Sequence, residues 1–418
     1  MKRVTENNPI KELLSNKILL ITNRKSRVAT AINNRNVLKN VLLVFLAIFI
    51  YSCGEDEIDE PNTKPPLFAK LLPLDLSKST SSVVVFNDEI NNTQIVLAGN
   101  AKDLFIVSFN RELNSTLLEF SAISDQLPVI MEDNEGNKWD VFGNAVEGPR
   151  IGQRLNPTQS LLGYWFSFAT FYPGIEIYTQ ILNKGEFEGE KIIGSNDWLV
   201  PHDEVRSGGV GKDGIPALSN PEFDNATDVD YLDNEELVVG FSTGINQKSY
   251  PHSLLDWHEI VNDELLESNY SIIYCPLTGT ATAWNRNIND TETTFGVSGL
   301  LYNTNIVPYD RATGSNWSQL FNASIFGEQV GTKPENFMVL ETKWETWKMM
   351  YPESKVANFN TGYGRSYGYY PYGNYRTDES LIFPVKYLDK RLEAKERVYT
   401  VVVDGNARVY RFDNFIGE

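Results

Sequence analysis

Trp139-Asp140-Val141-Phe142-Gly143-Asn144-Ala145 recurs as Trp317-Ser318-Gln319-Leu320-Phe321-Asn322-Ala323, with Trp, Asn and Ala in register 178 residues apart (139 to 317). The agreement runs outward in both directions. Upstream, Glu132 and Gly136 fall opposite Asp310 and Gly314, Phe109-Asn110-Arg111 pairs with Trp284-Asn285-Arg286, and Phe120 pairs with Phe295. Downstream, Trp165, Phe168, Tyr172 and Pro173 return as Trp344, Trp347, Tyr351 and Pro352, one residue out of step, as a single inserted loop residue produces. Self-similarity of this kind predicts one structural unit used twice, with residues 100–178 and 275–357 sharing a fold. In the upstream register Cys275 faces Asn100, so thiol chemistry is confined to the second unit.

Local patterns describe the unit as mostly strand. Residues 83–86, 104–109, 237–241, 271–274 and 398–403 are short apolar, β-branched or aromatic runs bounded by Gly, Asn, Asp or Pro. Residues 399–403 and 407–410 flank Asp404-Gly405, a dipeptide suited to the positive φ of a type I′ hairpin turn. Residues 237–241 and 246–250, joined through Thr243-Gly244, form a similar hairpin, and the likeness predicts that both hairpins share a sheet. Helices are expected at 161–171 and 341–350, each ending at Tyr-Pro, and at 254–261 after Pro251. Trp344 and Trp347, with Leu340 and Tyr351, form one apolar stripe and read as core. The fold class is therefore α+β, predominantly β, with antiparallel sheets and a few short helices around an internally duplicated unit.

The first 53 residues read as an address. Arg24, Lys25, Arg27, Arg35 and Lys39 precede an apolar run at 41–51, followed at once by Ser52-Cys53. About 11 apolar residues are too few to span roughly 30 Å of hydrocarbon as a helix but suit a signal-peptide core. The pattern resembles a bacterial lipoprotein signal in which Cys53 is acylated and becomes the first residue of the mature chain. An uncleaved anchor helix is the alternative. Residues 54–70, acidic and proline-bearing, read as a solvated tether. An acidic run behind a lipidated Cys also resembles the surface-export signals of Bacteroidota lipoproteins. These readings give a signal peptide at 1–53, a tether at 54–70, a first, degenerate copy at 71–195 and a second copy at 196–418. They place the protein at the outer membrane, periplasmic or cell-surface facing, held to the membrane by its lipid anchor.

With Cys53 given to lipid, Cys275 is the sole remaining thiol, so an internal disulfide is excluded and stability rests on packing. About 350 residues remain, more than one ordinary core holds. A net charge of −18 argues against binding the phosphate backbone, which takes clustered Lys and Arg, so nucleic acid is excluded as a partner.

Several blocks of the second half carry a further resemblance: DGIPAL at 213–218, WHEIVND at 257–263, CPLTGTA at 275–281, FGVSGLLYN at 295–303, YDRATGSNWSQ at 309–319, TGYGRSY at 361–367 and KERV at 395–398. Together, over about 208–410, they closely resemble a bacterial family known only as domain of unknown function 3179. Members of that family often carry Cys-Pro-Leu-Cys-Gly where this chain has Thr278, so the resemblance implies that a dithiol or thiolate-pair metal mechanism is closed to this chain. It implies no activity and no cofactor.

Chemistry must then be read from residues. Cys275 follows an apolar run and precedes Pro276 and a Thr278-Gly279-Thr280 turn, a place where a thiol can be presented. His258, with Glu259 or Asp263 as orienter, is the candidate base of a cysteine-dependent enzyme. The alternative is a buried thiol and a structural histidine. His202, His252 and His258 are the only histidines and show no zinc spacing, so no metal site is expected. Tyr302, Asn303, Asp310 and Arg311 flank an expected turn in which Arg311 either grips an anionic ligand group or pairs locally with Asp310. Tyr363, Arg365 and Tyr367 open a Gly- and Tyr-rich stretch that serves as a ligand lid or as a packed surface loop. The leading expectation is an extracytoplasmic lipoprotein that binds a small molecule or protein partner in the second copy, and the alternative is an enzyme using Cys275 with His258.

Overall fold

The computed structural model describes residues 82–179, 194 and 197–417, which lie in one compact unit. The leader, the tether and Cys53 lie outside the described residues. The first stretch forms three antiparallel strands, β1 (Val84–Ile90), β2 (Thr93–Asn100) and β3 (Phe105–Asn110). The short pair β4 (Glu112–Leu113) and β5 (Thr116–Leu117) leads into a four-strand meander, β6 (Phe120–Ala122), β7 (Val129–Asp133), β8 (Lys138–Asp140) and β9 (Ala145–Glu147). Strand β10 (Gln159–Tyr164), helix α1 (Trp165–Phe171) and strand β11 (Glu176–Ile177) complete it.

Three short strands come next, β12 (Val205–Ser207), β13 (Leu218–Ser219) and β14 (Phe223–Asn225). A hairpin, β15 (Leu237–Ser242) and β16 (Gln247–Pro251), runs into helix α2 (His252–His258). The earlier order then returns: three antiparallel strands β17 (Ile260–Leu265), β18 (Ser268–Cys275) and β19 (Thr280–Asn285), and the pair β20 (Asn287–Ile288) with β21 (Thr291–Glu292). The meander β22 (Phe295–Tyr302), β23 (Asn305–Asp310), β24 (Asn316–Ser318) and β25 (Ala323–Phe326) follows, then β26 (Asn336–Phe337), β27 (Val339–Lys343), helix α3 (Trp344–Met350) and β28 (Lys355–Ala357). The chain ends on a hairpin, β29 (Arg397–Val403) and β30 (Asn406–Arg411), turned by Asp404 and Gly405 at φ 49° and 79°. Among the described residues the architecture is predominantly β, with antiparallel sheets and three short α-helices.

The two hairpins do not share a sheet, contrary to the sequence expectation. Strands β15 and β16 lie between β27 and β28, whereas β29 and β30 lie between β10 and β11. In each case the hairpin pairs antiparallel to the strand before a helix and parallel to the strand after it. The closing hairpin therefore completes the sheet of the first half, and residues 196–418 are not self-contained. Helices α1 and α3 also start later than expected, whereas α2 starts two residues earlier, at His252. Residues 161–164 and 341–343 are extended because they are held in ladders with β29 and β15, long-range pairing that local propensity does not register. Helix α2 ends at His258, since Glu259 adopts φ 58° and Ile260-Val261 enter β17.

One register expectation is corrected. Asp133, not Glu132, stands where Asp310 does: Trp139 Nε1 donates to Asp133 Oδ2 at 2.9 Å and Trp317 Nε1 to Asp310 Oδ2 at 3.0 Å. The turn after Asp133 closes on Asn137 and that after Asp310 on Ser315, so the extra residue sits in this turn.

The cores interlock across the halves. Trp344 and Trp347 of α3, with Leu340 of the preceding β27, are buried, as expected, but against Phe120, Met131, Trp139 and Phe142 of the first meander. Helix α1 returns the arrangement, placing Trp165, Phe168 and Phe171 with Tyr302, Val307, Leu320 and Ile325. The backbones meet closely where β10 passes β19. A Cβ on Gly163 would lie 2.4 Å from Thr280 Cγ2, so only glycine fits there.

Candidate functional site

The Cys275–His258 pairing expected from the sequence is not formed. Cys275, at the end of β18, is 1 % exposed within an apolar cluster, and its Sγ lies 3.7 Å from the Thr304 carbonyl oxygen. Burial pushes its thiol up to about 11, away from the thiolate that nucleophilic chemistry needs. His258 has both ring nitrogens engaged elsewhere. Nδ1 is 2.7 Å from the Pro216 carbonyl, which can only accept, so Nδ1 carries the proton and Nε2 accepts from Tyr367 Oη at 2.8 Å. Burial lowers the pKa of this neutral imidazole. Neither expected orienter serves it. Glu259, pushed up to about 7 by burial, accepts from Tyr372 at 2.9 Å, and Asp263 binds Lys248, Tyr250 and Tyr270.

The expected ligand-binding residues are split among separate environments. Tyr302 is buried against Phe171 and Phe321, and Asn303, at φ 47° in the turn between β22 and β23, accepts from the Lys386 backbone. Asp310 accepts from Thr313 and Trp317, while Arg311 pairs not with Asp310 but with Asp213, at 2.8 Å on the surface. Tyr363, Arg365 and Tyr367 do come together around His258 and Trp257. This is packing of the 361–396 segment onto α2, reinforced by Tyr370 and Tyr375 donating to the Pro276 and Leu277 carbonyls.

A concave feature lies elsewhere, between the halves. A cavity of about 280 Å³ is walled by Ile106 and Ser108 of β3, Gln159 to Leu162 of β10, Ala281 to Ala283 of β19, Val339 and Glu341 of β27, and Met338 just before β27. Tyr399, Gln319 and Asn322 also line it. Pro157, Gln159 and Asn336 form an exposed rim, and Ser108, Gln319, Glu341 and Tyr399 a buried polar floor. Hydroxyls are chained across one wall: Ser108 bonds Thr158, Tyr399 lies 2.9 Å from Ser108, and Tyr399 donates to Ser160 at 2.7 Å. Gln319 is fixed by Thr280 and Asn305 on its oxygen and by the Ile273 and Thr280 carbonyls on its nitrogen. Two polar atoms of lining residues, Thr282 Oγ1 and Asn322 Oδ1, have no hydrogen-bond partner among the described residues.

Glu341 links this cavity to a buried chain of charges. Its carboxylate takes Arg397 on one oxygen and His252 Nε2, at 3.1 Å, on the other. Because a carboxylate only accepts, His252 is protonated on Nε2, and its bare Nδ1 accepts from Tyr274 Oη at 3.2 Å. Tyr274 in turn receives Arg376, which grips both oxygens of Asp256 at 2.7 and 2.8 Å. Burial pushes the carboxyl of Glu341 up, but Arg397 and then His252 outweigh it and leave the pKa lowered. Burial lowers His252, consistent with a neutral ring, and pushes Asp256 up to about 7 against the pull of Arg376.

The first half fills the matching positions differently. Glu341 stands three residues before α3, and Leu162 three before α1. His252 follows β16 as Phe412 follows β30, Arg397 opens β29 as Leu237 opens β15, and Tyr274 is the penultimate residue of β18 as Gly99 is of β2. Leu162, Leu237 and Phe412 meet in one apolar cluster. Hydrocarbon thus fills one set of these positions and ions fill the other.

Residues 212–416 match the family model described as "Protein of unknown function (DUF3179)". Over those residues the chain is similar to that family. The match takes in the hairpin β15–β16, the strands β17 to β28, the Tyr-rich segment and the closing hairpin, and so includes His252, Asp256, Tyr274, Glu341, Arg376 and Arg397. No curated protein and no solved structure matches the chain. Among the described residues, no group of three or more His, Cys, Asp and Glu is placed to hold a metal ion, and no helix is long and apolar enough to cross a membrane.

Proposed function

We propose that this protein is an outer-membrane lipoprotein, anchored through Cys53 and facing the periplasm or the cell surface, that binds a small molecule in the cavity between β3, β10, β19 and β27. The two halves are read as copies of one duplicated unit, of which the second acquired the polar side of the site. One observation carries the binding reading: the cavity floor bears Glu341, the first member of a buried chain of ions that runs on behind it, where the first half manages with Leu162, Leu237 and Phe412. Buried ion pairs are weak contributors to stability, and apolar residues of similar size are often as good or better. Shifted titratable groups beside a concave site are characteristic of functional regions. The sealed thiol of Cys275 favours binding over covalent chemistry.

Affinity selection tests the reading. The wild-type mature protein and an Ala281→Leu variant, whose added carbons enter the cavity, are each incubated with a mixture of charged and uncharged metabolites, and retained compounds are identified by mass spectrometry. Retention by the wild type and loss in the folded variant is expected. Retention unaffected by the filled cavity contradicts the site. The anchor has its own test: a fatty-acid probe fed to cells should label the wild type and leave Cys53→Ser unlabelled, and equal labelling of both would remove the claim.

A further inference from the structure

We propose that the cavity between the halves takes an uncharged, hydroxyl-rich ligand of monosaccharide size. This rests on the binding reading above and narrows it to one chemical class. Charge decides first. Among the lining residues Glu341 is the only acidic or basic side chain, and both its oxygens are already engaged, by Arg397 and by His252. An anionic ligand meets no cation in the lining and a chain of net charge −18 around it. A cationic ligand meets a carboxylate whose charge is already answered. Either would lose its hydration without a partner, a cost of several kcal/mol per ion.

Hydrogen bonding decides next. Ser108, Thr158, Ser160, Thr282 and Tyr399 give the lining five hydroxyls, groups that both donate and accept. A wholly apolar ligand would strip water from these groups and give nothing back. A ligand that itself bears hydroxyls can match them from several directions. Between the polar groups run the hydrocarbon surfaces of Ile106, Leu162, Ala283 and the partly buried Phe337, against which the C–H face of a sugar ring can lie. Size decides last. At about 280 Å³ the cavity lies just below the roughly 300–1,000 Å³ usual for small-molecule sites, which admits one ring and not a chain of them.

Saturation-transfer NMR on the mature protein provides the test. The uncharged probes are glucose, galactose, mannose and myo-inositol; the charged counterparts are glucose 6-phosphate, glucuronate and glucosamine; uracil represents uncharged flat heterocycles. At least one uncharged polyol should bind, its charged counterparts should bind at least about tenfold more weakly, and Ala281→Leu should abolish the signal. Val339→Trp, at the partly exposed edge of the same cavity, serves if Ala281→Leu folds poorly. Equal or tighter binding of a charged probe or of uracil overturns the proposal. So does the absence of any polyol signal sensitive to the filled cavity. If affinity selection still retains some other compound that Ala281→Leu loses, the class falls and the binding reading stands; if it retains none, both fall.

Discussion

Glu341 anchors the buried chain of charges beside the cavity because each of its oxygens has one donor, and this makes single substitutions costly in a specific way. Glu341→Gln leaves Arg397 buried without its counter-charge, and a loss of about 3–5 kcal/mol in urea unfolding is expected. The triple variant Glu341→Leu, Arg397→Leu, His252→Phe copies the residue types of the first half. It should recover to within about 2 kcal/mol of the wild type while failing to retain any cavity ligand. A triple variant as unstable as the single one would show that the ions are structural. Glu259 gives a pH signature. Its folded pKa of about 7 is raised above the ordinary carboxyl value, so the native state holds a proton that the unfolded chain has released between about pH 4.5 and 7. The stabilisation is complete below that window and lost as pH rises through 7. Glu259→Gln should therefore gain on the wild type by about 1–3 kcal/mol between pH 5 and pH 8, measured by urea unfolding at each pH. A difference that does not vary with pH would contradict it.

Among the elements, the closing hairpin was the most legible, since Asp404-Gly405 fixes its turn and the flanking apolar residues fix its strands. Its destination was not. Strand β29 pairs with β10, some 240 residues earlier, and nothing local to either distinguishes that pairing from one with β15. The same blindness misplaced the helix starts, because apolar residues 161–164 fit a helix stripe and a buried strand equally well. The Trp344 and Trp347 stripe was readable as core, but not which core. Of the candidate site residues, Cys275 and His258 stood out by rarity, and rarity proved a poor guide to contact. Glu341 offered no motif, and Arg397 stood in the KERV block with no role attached to it; their signal was the contrast with Leu162 before α1 and Leu237 at the start of β15, visible only once each hairpin had been assigned to its sheet. The packing of α3 on β15 supplies a prediction at this scale. A Cβ on Gly240 would sit 2.0 Å from the Trp347 ring, so Gly240→Ala should cost about 1–3 kcal/mol by forcing the indole aside. A thermal midpoint unchanged from the wild type would show that this contact is looser than the packing indicates.

At the scale of the molecule, each half borrows from the other. The first takes its central hairpin from the C-terminus, and each meander is covered by the helix of the opposite half. Such a chain should unfold in one cooperative transition. Residues 196–418 expressed alone would expose the face of β29 and β30 and the meander that α1 covers, and should give collapsed or aggregated protein with poorly dispersed NMR signals. A well-dispersed spectrum from that fragment would mean that the halves are independent. The cavity belongs to this seam, so the binding claim depends on the interlocked arrangement as much as on any residue. The most direct test is a crystal structure of the mature protein with the compound that affinity selection retains. The account predicts ligand density between β10 and β19, within hydrogen-bond reach of Tyr399 or Ser108. Density instead against His258, Tyr363 and Tyr367, with the seam empty, would contradict it.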